Sequence, residues 1–360
     1  MSLFRKLLVM IFLLTPWWMS SVTFAQQVEE RYVINFKRDK LPTDLEAQIQ
    51  VAGGTLVRTL PEVGIAIAVS TDPNFTSAIT ASKNVTSAGV LPLYSSSLLD
   101  EMVEESTAVG EPPPDPDKYF YDGTLWGIHR VNAPQAWSAG YTGSRQKNPR
   151  TVVAVIDTGI AWNHKDLERN VVYKDCYTTA GSYAEGKCTL YPAAGEVCRP
   201  PKSLCSNPPK PTPPALVEAC KEKYVPCVEF NHGTHVAGTI AAAFGGEGFV
   251  GVGPNLGLAS YKVSEVRDGY LVADPASVWA AMKDAADRGY KVINFSWGWC
   301  YVIGGGDPNN IAGCIQQIPD TLKGSKDVTA FNRAAKKVVS YVDKKGAVIV
   351  AAAGNFSFDL

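Results

Sequence analysis

The stretch VVAVIDTGI (152–160) decides the fold of this 360-residue chain, and NHGTHVAGTIAA (231–242) supports the same conclusion. In the first stretch, an unbroken apolar run ends at Asp157, which is typical of a strand buried on both faces with a polar residue at its carboxyl end. The second stretch opens with His232 and continues with apolar residues at helical spacing. Together they predict a strand of a parallel β-sheet and a helix that begins beside the carboxyl end of that strand.

The segments that follow alternate between strand and helix patterns. Apolar strands are predicted in GLASYKVS (257–264), VINFSWG (292–298) and AVIVAAAGN (347–355). Amphipathic helices are predicted in PASVWAAMKDAADRG (275–289) and DVTAFNRAAKKVVSYVDKKG (327–346). Apolar strands separated by amphipathic helices predict an α/β fold with a doubly wound parallel sheet, here from residue 119 to 360. Ligands of such sheets bind beyond the carboxyl ends of the strands, where Asp157, Ser296 and Asn355 fall.

A separate small unit precedes this region. From Glu30 to about Tyr94, the patterns follow the order β-α-β-β-α-β, with VTSAGVLPLY (85–94) as the last strand. This order predicts a small ferredoxin-like α+β domain within residues 26–99. Residues 100–118, DEMVEESTAVGEPPPDPDK, are acidic and rich in proline, so they predict a linker. The linker pattern alone fits either a passive spacer or a region that is cut during processing.

The chain begins with the pattern of a secretion signal. Arg5 and Lys6 precede the apolar run LLVMIFLL, and Thr23 and Ala25 provide small residues at a cleavage position. We therefore expect residues 1–25 to be a signal peptide and the product to be secreted. The alternative is an uncleaved membrane anchor, although Pro16 interrupts an apolar stretch shorter than the roughly 20 residues that a spanning helix needs.

Cysteine usage agrees with export. An even number of cysteines behind a signal sequence favours disulfide bonds. Zinc binding is the alternative, but paired C-x-x-C spacing is missing from the sequence. Cys300 and Cys314 are close enough in sequence to close a local loop, and the other pairings stay open. The eight cysteines are Cys176, Cys188, Cys198, Cys205, Cys220, Cys227, Cys300 and Cys314.

Composition excludes some partners. The chain is 46% hydrophobic and 19% charged, which is ordinary for a globular protein large enough to form two domains. Its formal net charge is -1, so it lacks the basic excess of proteins that bind nucleic acid or anionic membranes. We expect no nucleic-acid partner, and no membrane association once the signal has been removed.

From about Leu125 onward, the sequence resembles the subtilisin-like serine proteases, the subtilases. The resemblance is strongest at residues 151–160 and 232–242. The unit before the linker likewise resembles the inhibitory propeptide of that family, which assists folding and fills the cleft until it is cut. The family segments occur in family order as LWGIHRVNAPQAW (125–137), VIDTGI (155–160), HGTHVAGTIAA (232–242), GVGPNLGLASYKV (251–263), VINFSWG (292–298) and AAAGN (351–355).

The resemblance implies catalytic roles that agree with the chemistry of the residues. A serine hydroxyl becomes a good nucleophile when an imidazole takes its proton, and that imidazole needs a carboxylate on its other nitrogen. His232 is then the base, Asp157 the carboxylate and Asn355 the oxyanion-hole donor. His235 is an alternative base, but we expect it to be a packed helix residue.

Substrate and metal roles are implied in the same way. Ser296, Trp297 and Gly298 match the strand edge to which subtilases bind a polypeptide substrate, although Trp297 could equally be a core aromatic. Catalysis requires no cofactor. Asp166, in NHKDL, matches a position that binds structural calcium in several subtilases, but the loop AFGGEGFVGVG (243–253) lacks the expected oxygen-bearing side chains. The segment from Cys176 to Cys227 is longer than is usual in the family and indicates a disulfide-stapled surface insertion.

One family segment is missing from these 360 residues. Subtilases carry their nucleophilic serine in a G-T-S-x-A-x-P segment after the asparagine motif, and neither Ser296 nor Ser357 has that setting. We therefore expect the sequence to be the N-terminal portion of a secreted serine endopeptidase zymogen, truncated or incomplete and inactive by itself. The alternative is a secreted pseudoprotease that acts as a binding or inhibitory protein. Because a non-catalytic role would not need Asp157, His232 and Asn355 together, the protease interpretation is favoured.

Overall fold

The computed structural model describes residues 29–92, 94–96, 117–121, 123–143, 150–162, 164–178, 181–182, 231–245, 248–267, 270–297 and 324–352. The predicted signal peptide lies outside the described residues, as do nearly all of the linker and most of the cysteine-rich insertion. Seven of the eight cysteines, Gly298, Asn355 and Ser357 also lie outside them. The domain boundaries drawn from the sequence stay predictions.

The N-terminal unit, residues 29–92, has the predicted order of elements. Its strands are β1 (Glu30–Phe36), β2 (Thr55–Leu60), β3 (Ile65–Ser70) and β4 (Val85–Val90), and its helices are α1 (Leu45–Val51) and α2 (Phe75–Thr80). The strands form a sheet in the order β2-β3-β1-β4, with each of its three pairings antiparallel. One face of this sheet packs on α1 and α2 through a core that includes Ile34, Ile49 and Phe75. The ferredoxin-like prediction for this unit is therefore confirmed.

The predicted last strand of that unit is divided into two. We expected one strand over residues 85–94, but β4 ends at Val90 and a separate strand, β5 (Tyr94–Ser96), follows Pro92. Proline lacks the amide donor that a continuous ladder requires, which explains the interruption. β5 joins a different sheet, where it pairs with a strand from the second half of the chain.

The second unit contains the predicted doubly wound sheet. The chain enters it through three short helices, α3 (Lys118–Tyr121), α4 (Trp126–Arg130) and α5 (Ala133–Ser138). Its main sheet has the order β13-β12-β6-β9-β7-β8, in which the first five strands are parallel and β8 is antiparallel. The strands are β6 (Val152–Asp157), β7 (Val171–Thr178), β8 (Gly181–Ser182), β9 (Gly257–Lys262), β12 (Val292–Phe295) and β13 (Val348–Ala351).

Helices cover both faces of this sheet. Val153 and Val155 of β6 pack with α6 (Asn231–Ala241), whereas Ala154 and Ile156 point to the opposite core. That opposite core contains α7 (Pro275–Asp287) and α8 (Lys326–Lys344). Successive residues of one strand thus enter two separate cores, which explains why the strand is apolar throughout.

Two helix starts show how local sequence fixes the elements. Asp274 caps α7 by accepting a hydrogen bond from the amide of Ala276 at 3.0 Å, and Pro275 occupies the first turn. Ser325 caps α8 by accepting from the amide of Val328 at 3.2 Å. Within the described residues, none of the helices combines the length and apolar character needed to cross a membrane.

The N-terminal unit lies on α7 and α8, with the second face of its sheet buried against them. Val33, Ile65 and Ile67 of that face share a core with Phe331 of α8. The contact is close at Gly89, where an added Cβ would lie 2.5 Å from the Cα of Asp327. Asp327 accepts a hydrogen bond from the amide of Val90 at 2.8 Å.

Lys337 of α8 makes a charged contact with the N-terminal unit. Its ammonium group donates to the carbonyl oxygens of Phe36 at 2.8 Å and Val63 at 3.1 Å, and it pairs with Asp39 at 3.0 Å. The side chain is only 18% exposed. Lys337 therefore ties the end of β1 to the turn before β3 and holds both against α8.

A second charged cluster surrounds Asp287 at the end of α7. Lys283 and Lys345 each approach its carboxylate to 2.7 Å, and the Tyr341 hydroxyl donates to it at 2.6 Å. Burial alone would raise its pKa, but hydrogen bonds from these three groups lower the pKa of Asp287 to about 2. Lys283 also pairs with Glu62 of the N-terminal unit at 3.0 Å.

Candidate active site

The structure brings Asp157 and His232 into direct contact. Asp157 ends β6 and is fully buried, and His232 lies in the first turn of α6 with 21% of its side chain exposed. The His232 Nδ1 lies 2.7 Å from the Asp157 Oδ1. Because an ionised carboxylate only accepts hydrogen bonds, Nδ1–H donates and the other ring nitrogen, Nε2, carries the lone pair. This is the arrangement in which an imidazole acts as a general base.

Backbone hydrogen bonds hold the carboxylate in place. The same Oδ1 accepts from the amide of Thr158 at 2.7 Å, and the carbonyl of Asp157 accepts from the amide of Val263 at 2.9 Å. The second of these bonds extends the pairing of β6 with β9. The aspartate is therefore fixed by the strand edge and by its own turn, and its side chain is not free to rotate away from the histidine.

Two threonine hydroxyls connect the aspartate loop to the helix that carries the histidine. Thr158 Oγ1 accepts from the amide of Gly233 at 2.9 Å, and Thr234 Oγ1 accepts from the amide of Ala161 at 2.9 Å. The first amides of a helix have no partner within the helix, so the hydroxyl of Thr158 meets that need. Each hydroxyl thus satisfies an amide of the other segment, and neither threonine was predicted from the sequence. The only signal was the repeated Thr in D-T-G and H-G-T.

Gly233 permits this close approach. A Cβ at this position would lie 2.2 Å from the carbonyl oxygen of Gly159 and 3.1 Å from the Cβ of Asp157. Any side chain would have to push α6 away from the aspartate loop. The H-G pair in the histidine motif is therefore a packing requirement of the site.

The other predicted site residues are placed less completely. His235 is exposed on α6, so the expectation that it would be packed is wrong. Ser296 is half-buried, and its Oγ accepts from the Asn294 side-chain amide at 2.9 Å. Trp297 is 3% exposed and belongs to the core with α7 and α8. Gly298 and Asn355 lie outside the described residues, so the structure does not test their roles.

Asp166 is buried at 1% exposure. Its carbonyl accepts from the amide of Ala243 at 2.8 Å, and its own amide donates to His164 Nδ1 at 3.2 Å. Among the residues that the structure describes, there is no group of three or more His, Cys, Asp or Glu side chains suited to a metal ion.

A second, small sheet lies next to the candidate site. It consists of β10 (Ser264–Arg267), β11 (Tyr270–Ala273) and β5, in the order β10-β11-β5. β10 follows Val263, whose amide binds the carbonyl of Asp157. β5 pairs with β11 in antiparallel register, with Tyr94 opposite Ala273 and Ser96 opposite Leu271. A strand that follows the N-terminal unit thus extends a sheet that starts beside Asp157.

Comparison with known proteins agrees with this geometry. The model of the subtilase family, peptidase S8, matches residues 148–359, more than half of the chain. The chain belongs to the subtilase family. Bacillopeptidase F of Bacillus subtilis (strain 168) is 30% identical over 187 residues, a match that covers 49% of this chain and 11% of that protein. Alkaline elastase YaB of Bacillus sp. (strain YaB) is 25% identical over 277 residues, covering 76% of this chain and 55% of that protein.

The fold is also found among solved structures. The epidermin leader peptide processing serine protease (EpiP) of Staphylococcus aureus aligns with a TM-score of 0.56 at 20% identity, covering 91% of this chain and 60% of that one. At this identity the likeness concerns the fold alone. The chain spans less than two thirds of the length of each of these three proteins.

Proposed function

We propose that these residues form part of a subtilisin-like serine endopeptidase, in which His232 acts as the general base and Asp157 orients it. The observation that supports this most is the 2.7 Å contact between His232 Nδ1 and the buried Asp157 Oδ1. Nε2 would take the proton of a serine hydroxyl as the oxygen attacks a peptide carbonyl, and would then deliver it to the leaving amine. Asp157 would stabilise the imidazolium ion between these steps.

The remaining catalytic groups belong to the proposal on sequence grounds. Asn355 would donate its amide to the oxyanion of the tetrahedral intermediate. Ser296 to Gly298 would offer backbone groups to an extended polypeptide substrate, with Trp297 acting as support from the core. Asp166 stays a proposed ligand of structural calcium, which has no part in the chemistry.

The nucleophilic serine is proposed to lie outside these 360 residues, because they contain no G-T-S-x-A-x-P segment. The 360 residues alone should therefore not hydrolyse peptides. The signal-like residues 1–25 and the cysteine content support export into a compartment where disulfides form. Cys176 is fully buried, and its pairing in a disulfide is part of this proposal.

The N-terminal unit is proposed to act as the inhibitory prosegment of this zymogen. Its docking on α7 and α8 positions β5 beside β11, where main-chain pairing imitates the addition of a peptide strand to a sheet edge. A segment that occupies this edge would exclude a substrate from it. The chain would then have to be cut within the predicted linker before the N-terminal unit could leave and a substrate could enter the cleft.

The experiment compares two proteins. The purified 360-residue chain is treated with a fluorophosphonate that labels activated serines, and so is a protein encoded by the gene read beyond codon 360 through a G-T-S-x-A-x-P segment. We expect labelling and cleavage in the linker for the longer protein only, and their loss in its His232→Ala variant. Labelling of the 360-residue chain, or of the His232→Ala variant, contradicts the proposal. If no reading frame encodes that segment, the pseudoprotease interpretation is preferred.

A further inference from the structure

Arg58 of β2 is turned by a β-bulge toward the second unit of the protein. In a regular strand, Leu56 and Arg58 would share one face, because side chains alternate. Here Leu56 is paired with Ala68 and Arg58 with Ile67, so that Val57 is an extra residue between them. Such a bulge shifts the alternation by one residue and redirects the side chains that follow.

The two cores of the N-terminal unit confirm the change of face. Leu56 packs on the inner core with α1 and α2, as does Ala68 opposite it. Ile67, the partner of Arg58, and Leu60, two residues further along β2, are in the core shared with α7 and α8. The bulge therefore places a charged arginine on the face that docks.

Arg58 contacts two elements of the second unit simultaneously. Its Nη2 donates to the carbonyl oxygen of Thr178 at 2.8 Å, and its Nη1 lies 3.4 Å from both the carbonyl oxygen of Ala276 and the Oγ of Ser277. These three residues are buried. A second arginine of the same unit, Arg31, lies 2.9 Å from the carboxylate of the α7 cap residue Asp274. The first turn of α7 is thus held by two arginines.

Thr178 is the last residue of β7, where the chain enters the cysteine-rich insertion. β7 pairs back with β8, with Tyr177 opposite Ser182 and Thr178 opposite Gly181. Cys176, just before them, is fully buried. We define residues 176–178 and 181–182 as the stem of the insertion. Arg58 therefore joins the N-terminal unit to this stem.

We propose that the stem of the insertion is part of the docking surface for the N-terminal unit, and that Arg58 is the specificity-determining residue that recognises it. The term prosegment rests on the proposed function, but this contact is on a different surface from the pairing of β5 with β11. A planar guanidinium can donate to carbonyl oxygens on two elements at once, whereas a lysine ammonium is a single point charge. A prosegment without an arginine at this bulge would not engage both the stem and α7.

The test uses hydrogen–deuterium exchange of the full chain, which needs no catalytic activity. Arg58→Met removes the contact, Arg58→Lys keeps the charge, and Arg38→Met is the matched control because Arg38 is exposed on the same unit. Loss of a hydrogen bond from a charged group changes a local opening equilibrium by about tenfold or more. We expect amides of residues 171–178 to exchange at least about tenfold faster in Arg58→Met than in wild type. In Arg58→Lys, the same amides should exchange at a rate between those of wild type and Arg58→Met.

Exchange in β1 is the folding control. It should stay unchanged in Arg58→Lys and in Arg38→Met, and Arg38→Met should match wild type at residues 171–178. If exchange in β1 also becomes faster in Arg58→Met, that variant has lost stability as a whole, and the test then rests on Arg58→Lys. In that case, exchange of residues 171–178 at the wild-type rate in Arg58→Lys would overturn the inference. Exchange of these residues at the wild-type rate in both Arg58 variants would also overturn it. A failure of the proposed function would appear in the fluorophosphonate experiment and would leave this exchange pattern unchanged.

Discussion

Replacing Gly233 by alanine should separate the catalytic pair. The new Cβ would lie 2.2 Å from the Gly159 carbonyl oxygen, whereas ordinary contacts begin at 3.4 Å, so the start of α6 must move by about 1.2 Å. A shift of that size along the contact would extend the His232–Asp157 distance from 2.7 Å to about 3.9 Å. A hydrogen bond does not survive at that separation.

The energetic cost can be estimated from the contacts that are lost. Overpacking costs roughly 1–3 kcal/mol, and a buried donor left without its acceptor, here the Gly233 amide beside Thr158, costs about 1–3 kcal/mol. We expect Gly233→Ala to lower the free energy of unfolding by about 2–6 kcal/mol. Gly238 on the same helix has no atom within 4 Å of an added Cβ, so Gly238→Ala should stabilise the helix by about 0.5–1 kcal/mol.

Two measurements are made on wild type and both variants. Denaturant unfolding gives the stability of each protein, and a proton NMR spectrum of the folded protein shows the His232 Nδ1–H signal, which is present only when the histidine donates to Asp157. Opposite shifts of the unfolding midpoint, with loss of the signal in Gly233→Ala only, support the reasoning. Equal stability of the two variants, or a signal retained in Gly233→Ala, would refute it.

Three further predictions follow from other contacts. Lys337→Met removes the ammonium group that binds two carbonyl oxygens and a carboxylate of the N-terminal unit. Limited proteolysis should therefore release that unit several-fold faster from Lys337→Met than from wild type. Lys336 is an exposed neighbour, so Lys336→Met should behave as wild type. The pKa of Asp287 is lowered from 3.8 to about 2, so its stabilisation is present above about pH 4 and is lost as the pH falls toward 2. Asp287→Asn should therefore reduce the pH dependence of Tm in that window, and an unchanged profile would contradict this prediction. Thr158→Val should weaken the His232 signal whereas Thr158→Ser retains it, and equal signals in the two variants would argue against the role of the hydroxyl.

Much of the fold could be predicted because strand and helix periodicities differ. The β-α-β-β-α-β order and the parallel sheet both follow from patterns of buried residues, and the structure has both. The division of the predicted strand over residues 85–94 was missed, although Pro92 marks it. The bulge at Val57 was missed for a different reason, because TLVRTL contains no glycine or proline that would mark an irregular strand, and only the pairing with β3 reveals the extra residue.

The candidate site was predictable where chemistry and position coincide. Asp157 and His232 were found because a strand end and a helix start each carry an unusual polar residue in a strong motif. Thr158 and Thr234 were missed because threonine is common at turns and helix starts, and their partners are backbone amides in a distant segment. Trp297 could be assigned to the core only from its surroundings, since either a core or a rim position suits an aromatic residue beside a strand.

Asp157 and His232 are proposed to work together as the base and its orienting carboxylate in a serine endopeptidase. The most direct measurement is the rate of peptide hydrolysis by the serine-containing protein as wild type, as Asp157→Asn and as His232→Ala, each with the same level of folded protein. We predict a loss of at least about 10³-fold in kcat for both variants, because the oriented base is removed in each. Hydrolysis at the wild-type rate by either variant would contradict the assignment of this pair.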